Sequence, residues 1–170
     1  NPADYRQTVD AVEAAYDIKG PVYIRLSRFE TASIIPEGIE FVPGKAMRIR
    51  EGKDIALCSS GPITENVLNA AAVLGERGFD PGVFIFPTVK PLDAEAVKDI
   101  AADYEFVFTV EEHNIVGGFG SAFAEIFSEL PYKERQCFFK RFGVEDCLGE
   151  SGTAEELINL HSIFKNYFFF

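Results

Sequence analysis

The sequence predicts an α/β fold, with helices covering both faces of a mainly parallel sheet. Three observations carry this expectation. The runs Ile55-Ala-Leu-Cys58, Gly82-Val-Phe-Ile-Phe86 and Phe106-Val-Phe-Thr-Val110 are almost continuously apolar, as strands buried on both faces are. Stretches of helical period lie between them. Strand and helix then alternate along the chain, the order that crossover connections between parallel strands produce. The 170 residues, 47% of them hydrophobic, suffice for one domain of ordinary size or for a domain and a piece of another.

Tyr5, Val9, Val12 and Tyr16 recur at helical spacing behind Pro2 and Asp4, and Gly20-Pro21 stops this first helix. Pro21-Val-Tyr-Ile-Arg-Leu26 is β-branched and aromatic, a strand by propensity. Together they carry more apolar surface than one helix and one strand can hide. The segment is therefore expected to dock on the rest of the chain, pair with another copy or stay mobile. Residues 28–44 hold Pro36, Gly38, Pro43 and Gly44 without periodicity and read as an extended linker at a domain boundary.

After the linker, Ala46 to Arg50 alternates, and the Glu51-Gly52-Lys53 turn leads into Ile55 to Cys58. So short a connection leaves no room for a crossover helix, so the first of these strands is expected to be antiparallel to the others. Pro62 suits a helix start, Ile63, Val67, Ala70 and Leu74 form its buried stripe, and Gly78 ends it. Asp93 is placed to cap a helix whose Val97, Ile100, Ala101 and Tyr104 face inward. Gly117-Gly-Phe-Gly120 opens a helix with Phe119, Phe123, Ile126, Phe127 and Leu130 on one side. Phe138 to Phe142 completes a five-stranded mixed sheet, and Thr153 with Glu156 forms a capping box before Leu157, Leu160 and Phe164.

Composition excludes several function classes. With 16 basic against 27 acidic residues the formal charge is −11, which disfavours non-specific nucleic-acid binding. Acids, bases, Gly or Pro interrupt every apolar run before the length a membrane helix needs, so no membrane partner is expected. Cys58, Cys137 and Cys147 lack Cys-x-x-Cys spacing, and no signal-like segment or Asn-x-Ser/Thr acceptor occurs; a reducing, cytoplasmic setting is expected. Each Cys reads as a small buried hydrophobe rather than a reactive thiol.

Metal and nucleophile constellations fail, because His113 and His161 are distant in sequence and no His-x-x-x-His or Gly-x-Ser-x-Gly is present. Gly117-Gly-Phe-Gly-Ser121, between a strand and a helix, has the glycines that let an anion approach unpaired N–H groups. The third small residue of a dinucleotide fingerprint is missing, and close helix–strand packing is the preferred explanation of the glycines. Arg25 and Arg28 flank Leu26-Ser27 where the early strand runs out, a place suited to holding a phosphate or simply a solvated surface. Glu111-Glu112-His113 ends another strand and could serve in acid and base work or be ordinary polar residues there.

Several blocks together resemble the C-terminal portion of a transketolase: Ala3-Asp4 and Gly20-Pro-Val-Tyr-Ile-Arg-Leu-Ser-Arg28, Ile55-Ala-Leu-Cys-Ser-Ser-Gly61, Lys90-Pro-Leu-Asp93, Val110-Glu-Glu-His-Asn-Ile-Val-Gly-Gly-Phe-Gly-Ser-Ala-Phe-Ala-Glu125 and Glu150-Ser-Gly-Thr153. The likeness is strongest to the C-terminal subunit of split bacterial and archaeal transketolases. Deoxyxylulose-phosphate synthases and 2-oxoacid dehydrogenase β subunits are more distant relatives and alternative readings, as is a non-catalytic interaction module. Residues from His161 onward depart from the usual family ending.

The resemblance implies a three-layer α/β/α C-terminal domain over residues 45–170, a linker over 31–44, and in residues 1–30 the final helix and strand of a pyrimidine-binding domain. It implies an enzyme that transfers a two-carbon ketol unit between phosphorylated sugars with thiamine diphosphate and Mg²⁺. Neither the Gly-Asp-Gly motif nor the activating Glu that hold this cofactor is among these residues, so no cofactor and no catalytic residue is expected here. Arg28, in Leu-Ser-Arg, matches the family's sugar-phosphate-binding arginine. Glu111, Glu112 and His113 are expected to support the fold or an interface. The implied partners are the remaining transketolase domains or an N-terminal subunit, and a second copy in a homodimer.

Overall fold

Apolar strands can hide both faces only if helices cover both, and the computed structural model shows this arrangement. It describes residues 1–27, 30–153, 156 and 157. One sheet contains β1 (Met47–Arg50), β2 (Ile55–Ser59), β3 (Pro81–Ile85), β4 (Phe106–Asn114) and β5 (Phe138–Val144), in the order β1-β3-β2-β4-β5. β2 runs parallel to both neighbours, β5 runs parallel to β4, and β1 is antiparallel to β3. The helices are α1 (Tyr5–Asp17), α2 (Thr64–Glu76), α3 (Ala94–Asp103) and α4 (Phe119–Glu129).

The period of two along each strand divides the core into two layers. Ile55, Leu57, Val83, Phe108 and Phe142 pack under Val67, Ala71 and Leu74 of α2. On the other face Ala56, Cys58, Phe84 and Val107 meet Val97 and Ile100 of α3 and Phe119 and Phe123 of α4. Ala71, not Ala70, belongs to the buried stripe of α2, since the helix turns its more exposed side at residue 70. Asp93 caps α3 through the amide of Ala96, at 3.4 Å. The Thr153–Glu156 capping box is present, with the Glu156 amide donating to Thr153 Oγ1 at 3.3 Å and Thr153 donating back to Glu156. Leu160, His161 and Phe164 lie outside the described residues, as does 167–170.

β1 is antiparallel as expected, but its partner is β3 and not the strand that follows it. Residues 51–54 pass beneath the start of β3, where the Lys53 and Asp54 amides donate to Asp80 O at 2.9 and 3.1 Å. Gly52 lies so close to Pro81 and Gly82 that a Cβ would overlap their backbone. β2 has a parallel neighbour on each edge, and β1 takes the outer edge of β3 instead.

The early segment departs from the expected helix and strand. α1 forms, capped by Asp4 Oδ1 on the Gln7 amide at 2.8 Å, while Pro21 to Leu26 forms neither helix nor strand. A strand exists only through its hydrogen-bonded neighbour, and the described residues supply none for this segment. α1 rests on the domain through a polar contact: Gln7 Oε1 accepts from the Ala3 amide at 2.7 Å and Gln7 Nε2 donates to Met47 Sδ at 3.1 Å. Its apolar stripe faces outward, with Tyr5 74%, Val12 52% and Tyr16 92% exposed. Among the described residues no helix is long and apolar enough to cross a membrane.

Candidate functional site

The chain leaves β2 for β3 on one side of the sheet and returns to β4 on the other. This reversal places a crevice between the carboxyl ends of β2 and β4, where open α/β sheets receive their ligands. Here Asn1 and Arg25 reach into the crevice. Asn1 Nδ2 donates to Ser60 Oγ at 3.2 Å, just beyond β2, and the Asn1 nitrogen donates to Pro87 O at 2.9 Å. Arg25 Nη1 forms an ion pair with Glu112 Oε1 on β4 at 3.1 Å and reaches the Asn1 side-chain carbonyl at 3.5 Å. Around these contacts opens a cleft of about 850 Å³ between α1, the segment 21–25 and the strand ends, with Lys90, His113 and Gly117 also on its walls.

The glycine loop holds an anion, and the anion is the protein's own. Glu111, buried at the end of β4, accepts from the Phe119 amide through Oε2 at 2.7 Å and from the Gly120 amide through Oε1 at 2.8 Å. These are orphan donors of the first turn of α4, where a negative charge also meets the positive end of the helix dipole. The glycines make room for it. A Cβ on Gly118 would overlap Glu111 Oε2, one on Gly120 would lie 3.0 Å from Oε1, and one on Gly143 would lie 2.8 Å from Glu111 Cγ. Burial pushes the Glu111 carboxyl above its ordinary range, opposed by the two backbone donors and by nearby His113 and Arg141.

The rest of the Glu-Glu-His-Asn block ties down the same loop. Asn114 Oδ1 accepts from the Val116 amide at 2.7 Å, and Ser121 Oγ accepts from the Gly117 amide at 3.0 Å while donating to Ile115 O at 2.7 Å. Arg141 Nη1 donates to Ser121 Oγ at 2.7 Å and to Ile115 O at 2.8 Å. His113 is exposed, its Nδ1 beside Asn114 O at 3.0 Å. The structure thus brings Arg25, Glu111, Glu112 and His113 to one end of the sheet, whereas Arg28 lies outside the described residues. Sequence reasoning missed Asn1 and Arg141. Arg141 sits near the middle of β5, and nothing in its neighbours marks it as a partner of Ser121.

Cys58 is buried in the α3–α4 face, and burial raises its thiol pKa; Cys137 is half-buried and Cys147 exposed. Among the described residues no group of three or more His, Cys, Asp or Glu side chains could hold a metal ion.

Comparison with known proteins gives a consistent result. The profile of the family described as "Transketolase, C-terminal domain" matches residues 44–166. The chain is 40% identical over 129 residues to a subunit of the apulose-4-phosphate transketolase of Actinobacillus succinogenes, covering 76% of this chain and 40% of that protein. It is 39% identical to a 6-deoxy-6-sulfo-D-fructose transketolase subunit of a Clostridium species, covering 92% of this chain and 47% of that one. A solved split-gene transketolase, described as an inactive beta4 tetramer, superposes with a TM-score of 0.86 at 37% identity, over 95% of this chain and 52% of its own. The chain spans about half the length of the curated relatives it matches. The family profile, these identities and the shared fold together place the chain in the transketolase C-terminal domain family.

Proposed function

We propose that this chain is the C-terminal portion of a thiamine diphosphate-dependent transketolase, which transfers a two-carbon ketol unit between phosphorylated sugars, and that it acts only together with the remaining domains or an N-terminal subunit. The observation that carries the proposal is the outward apolar stripe of α1, continued by Val22, Tyr23 and Leu26 in a segment without a strand partner. A helix with its apolar face in water and a β-favouring run without pairing are what remains of a layer whose neighbours lie on another part of the protein. Each such side chain gains on the order of 1.5–3 kcal/mol when that neighbour covers it. On this reading residues 1–30 end the pyrimidine-binding domain, 31–44 is the linker, and 45–170 is the C-terminal domain.

The described residues do not fit the cofactor. A magnesium-bound diphosphate needs converging carboxylates and free N–H donors, and the anion site at the start of α4 is already taken by Glu111. The chain's own contribution is an assembly surface and, through Arg28, one substrate-phosphate contact. Inactivity of the solved split-gene relative as a beta4 tetramer supports the view that such a chain alone does not catalyse.

The test is reconstitution in thiamine diphosphate and Mg²⁺. The isolated chain is expected to show no ketol transfer, and activity is expected when the rest of the enzyme is supplied; no activity in that mixture would overturn the proposal. In the reconstituted enzyme, Arg28→Ala is expected to raise KM for phosphorylated substrates about tenfold to a hundredfold, as loss of one charge-assisted contact implies. Hydroxypyruvate, which has no phosphate, should be nearly unaffected, and equal losses for both substrate types would remove Arg28 from the substrate site.

A further inference from the structure

The crevice at the strand-order reversal is the place where this fold would ordinarily take a ligand, and here Asn1 and Arg25 reach into it. Arg25 reaches both sides of the crevice, β4 through Glu112 and the end of β2 through Asn1 and Ser60. Burial does not require an ion pair at this point, since the two side chains are 39% and 24% exposed and a neutral pair would be equally well solvated. What a guanidinium–carboxylate pair adds is direction. Glu112 is also a firm point of attachment, because its neighbour Glu111 is fastened to the first turn of α4 by two backbone donors. Arg28 follows Arg25 by three residues in the chain.

We propose that the Arg25–Glu112 pair is a latch that seats residues 21–27, the stretch that precedes Arg28 in the sequence, at the switch-point crevice; this rests on the transketolase reading above. Both residues are positioning residues, acting on substrate only through the segment they hold.

Chymotryptic cleavage after Tyr23, which is 87% exposed, reports on the latch in the full chain without any activity measurement. Glu112→Gln should speed this cleavage about two- to tenfold, the range of a partly exposed ion pair. The charge-swapped chain, R25E with E112R, should return to the wild-type rate. Unchanged cleavage in Glu112→Gln, or a double variant cleaved as fast as the faster single variant, would overturn the latch. In the reconstituted enzyme Glu112→Gln should raise KM for phosphorylated substrates by about the same factor, leaving kcat and the KM for hydroxypyruvate nearly unchanged. A fall in kcat with both substrates would likewise overturn it. Failure of the transketolase reading looks different, with a wild-type mixture that transfers no ketol unit while the cleavage pattern still shows the latch.

Discussion

At the scale of single residues, Glu111 explains more of the sequence than any other side chain. Three glycines surround it, and Gly118 has φ −85°, a conformation open to every residue type, so the need for glycine there is steric and not conformational. Gly118→Ala must displace the Glu111 carboxylate from its donors and should cost about 2–4 kcal/mol in chemical denaturation. The pH dependence has a definite sign. Burial lifts the folded-state pKa of Glu111 above its unfolded value, so between the two values the folded chain holds more protons than the unfolded one. The Glu111 contribution to stability therefore falls as pH rises from the ordinary carboxylate range through the raised value, and is level above it. Glu111→Gln should abolish that part of the slope, and a carbon-13 titration of the Glu111 carboxyl should have its midpoint above 4.5. The thiols separate as simply: an alkylating reagent at mildly alkaline pH should modify exposed Cys147 in the folded chain and buried Cys58 only after unfolding.

At the scale of elements, α1 shows two faces with opposite duties. Its polar face holds the helix to the domain, through Gln7 on Met47 and through Asp4, whose Oδ2 accepts from the Ile34 and Ile35 amides at 3.1 and 3.2 Å. Gln7→Ala leaves the Ala3 amide without its buried acceptor and should lower stability by about 1–3 kcal/mol. Val12→Glu, on the exposed stripe, should change the melting temperature of the isolated chain little while weakening association with the rest of the enzyme, as measured by analytical ultracentrifugation. Loss of folding in Val12→Glu would mean that this face is already covered within the chain. β1 teaches a related lesson about topology. Its antiparallel direction follows from a short connection, but its place beside β3 follows from the parallel neighbours that β2 acquires later in the chain.

At the scale of the whole molecule, the two positions where an α/β sheet offers itself to a ligand differ: Glu111 takes the start of α4, whereas Asn1 and Arg25 line the switch-point crevice beside an open cleft of about 850 Å³. The charge of −11 disfavours binding to a polyanion, and on the proposed reading association with the remaining domains falls to the apolar stripe of α1 and the segment after it. The expected consequence is that salt should strengthen or leave unchanged the assembly of this chain with the remaining domains, as burial of apolar surface does, and should not dissolve it. Sedimentation of the mixture at low and high salt checks this.

The fold class, strands β1 to β5, helices α1 to α4 and the caps by Asp93 and Thr153 were legible in the sequence by itself, because each depends on spacing within a few residues. So was the family, which rests on blocks of consecutive residues. The tertiary structure alone decided which edge β1 joins, that the early β-favouring run finds no strand partner among the described residues, and which anion the glycine loop holds. Those outcomes depend on groups that meet only after folding: Gln7 with Met47, 40 residues apart, Arg141 with Ser121, 20 apart, and Arg25 with Glu112 across the sheet. A glycine-rich turn before a helix announces that something negative or bulky comes near, but whether it is a ligand or the chain's own carboxylate is set by the three-dimensional path that brings Glu111 back onto the first turn of α4.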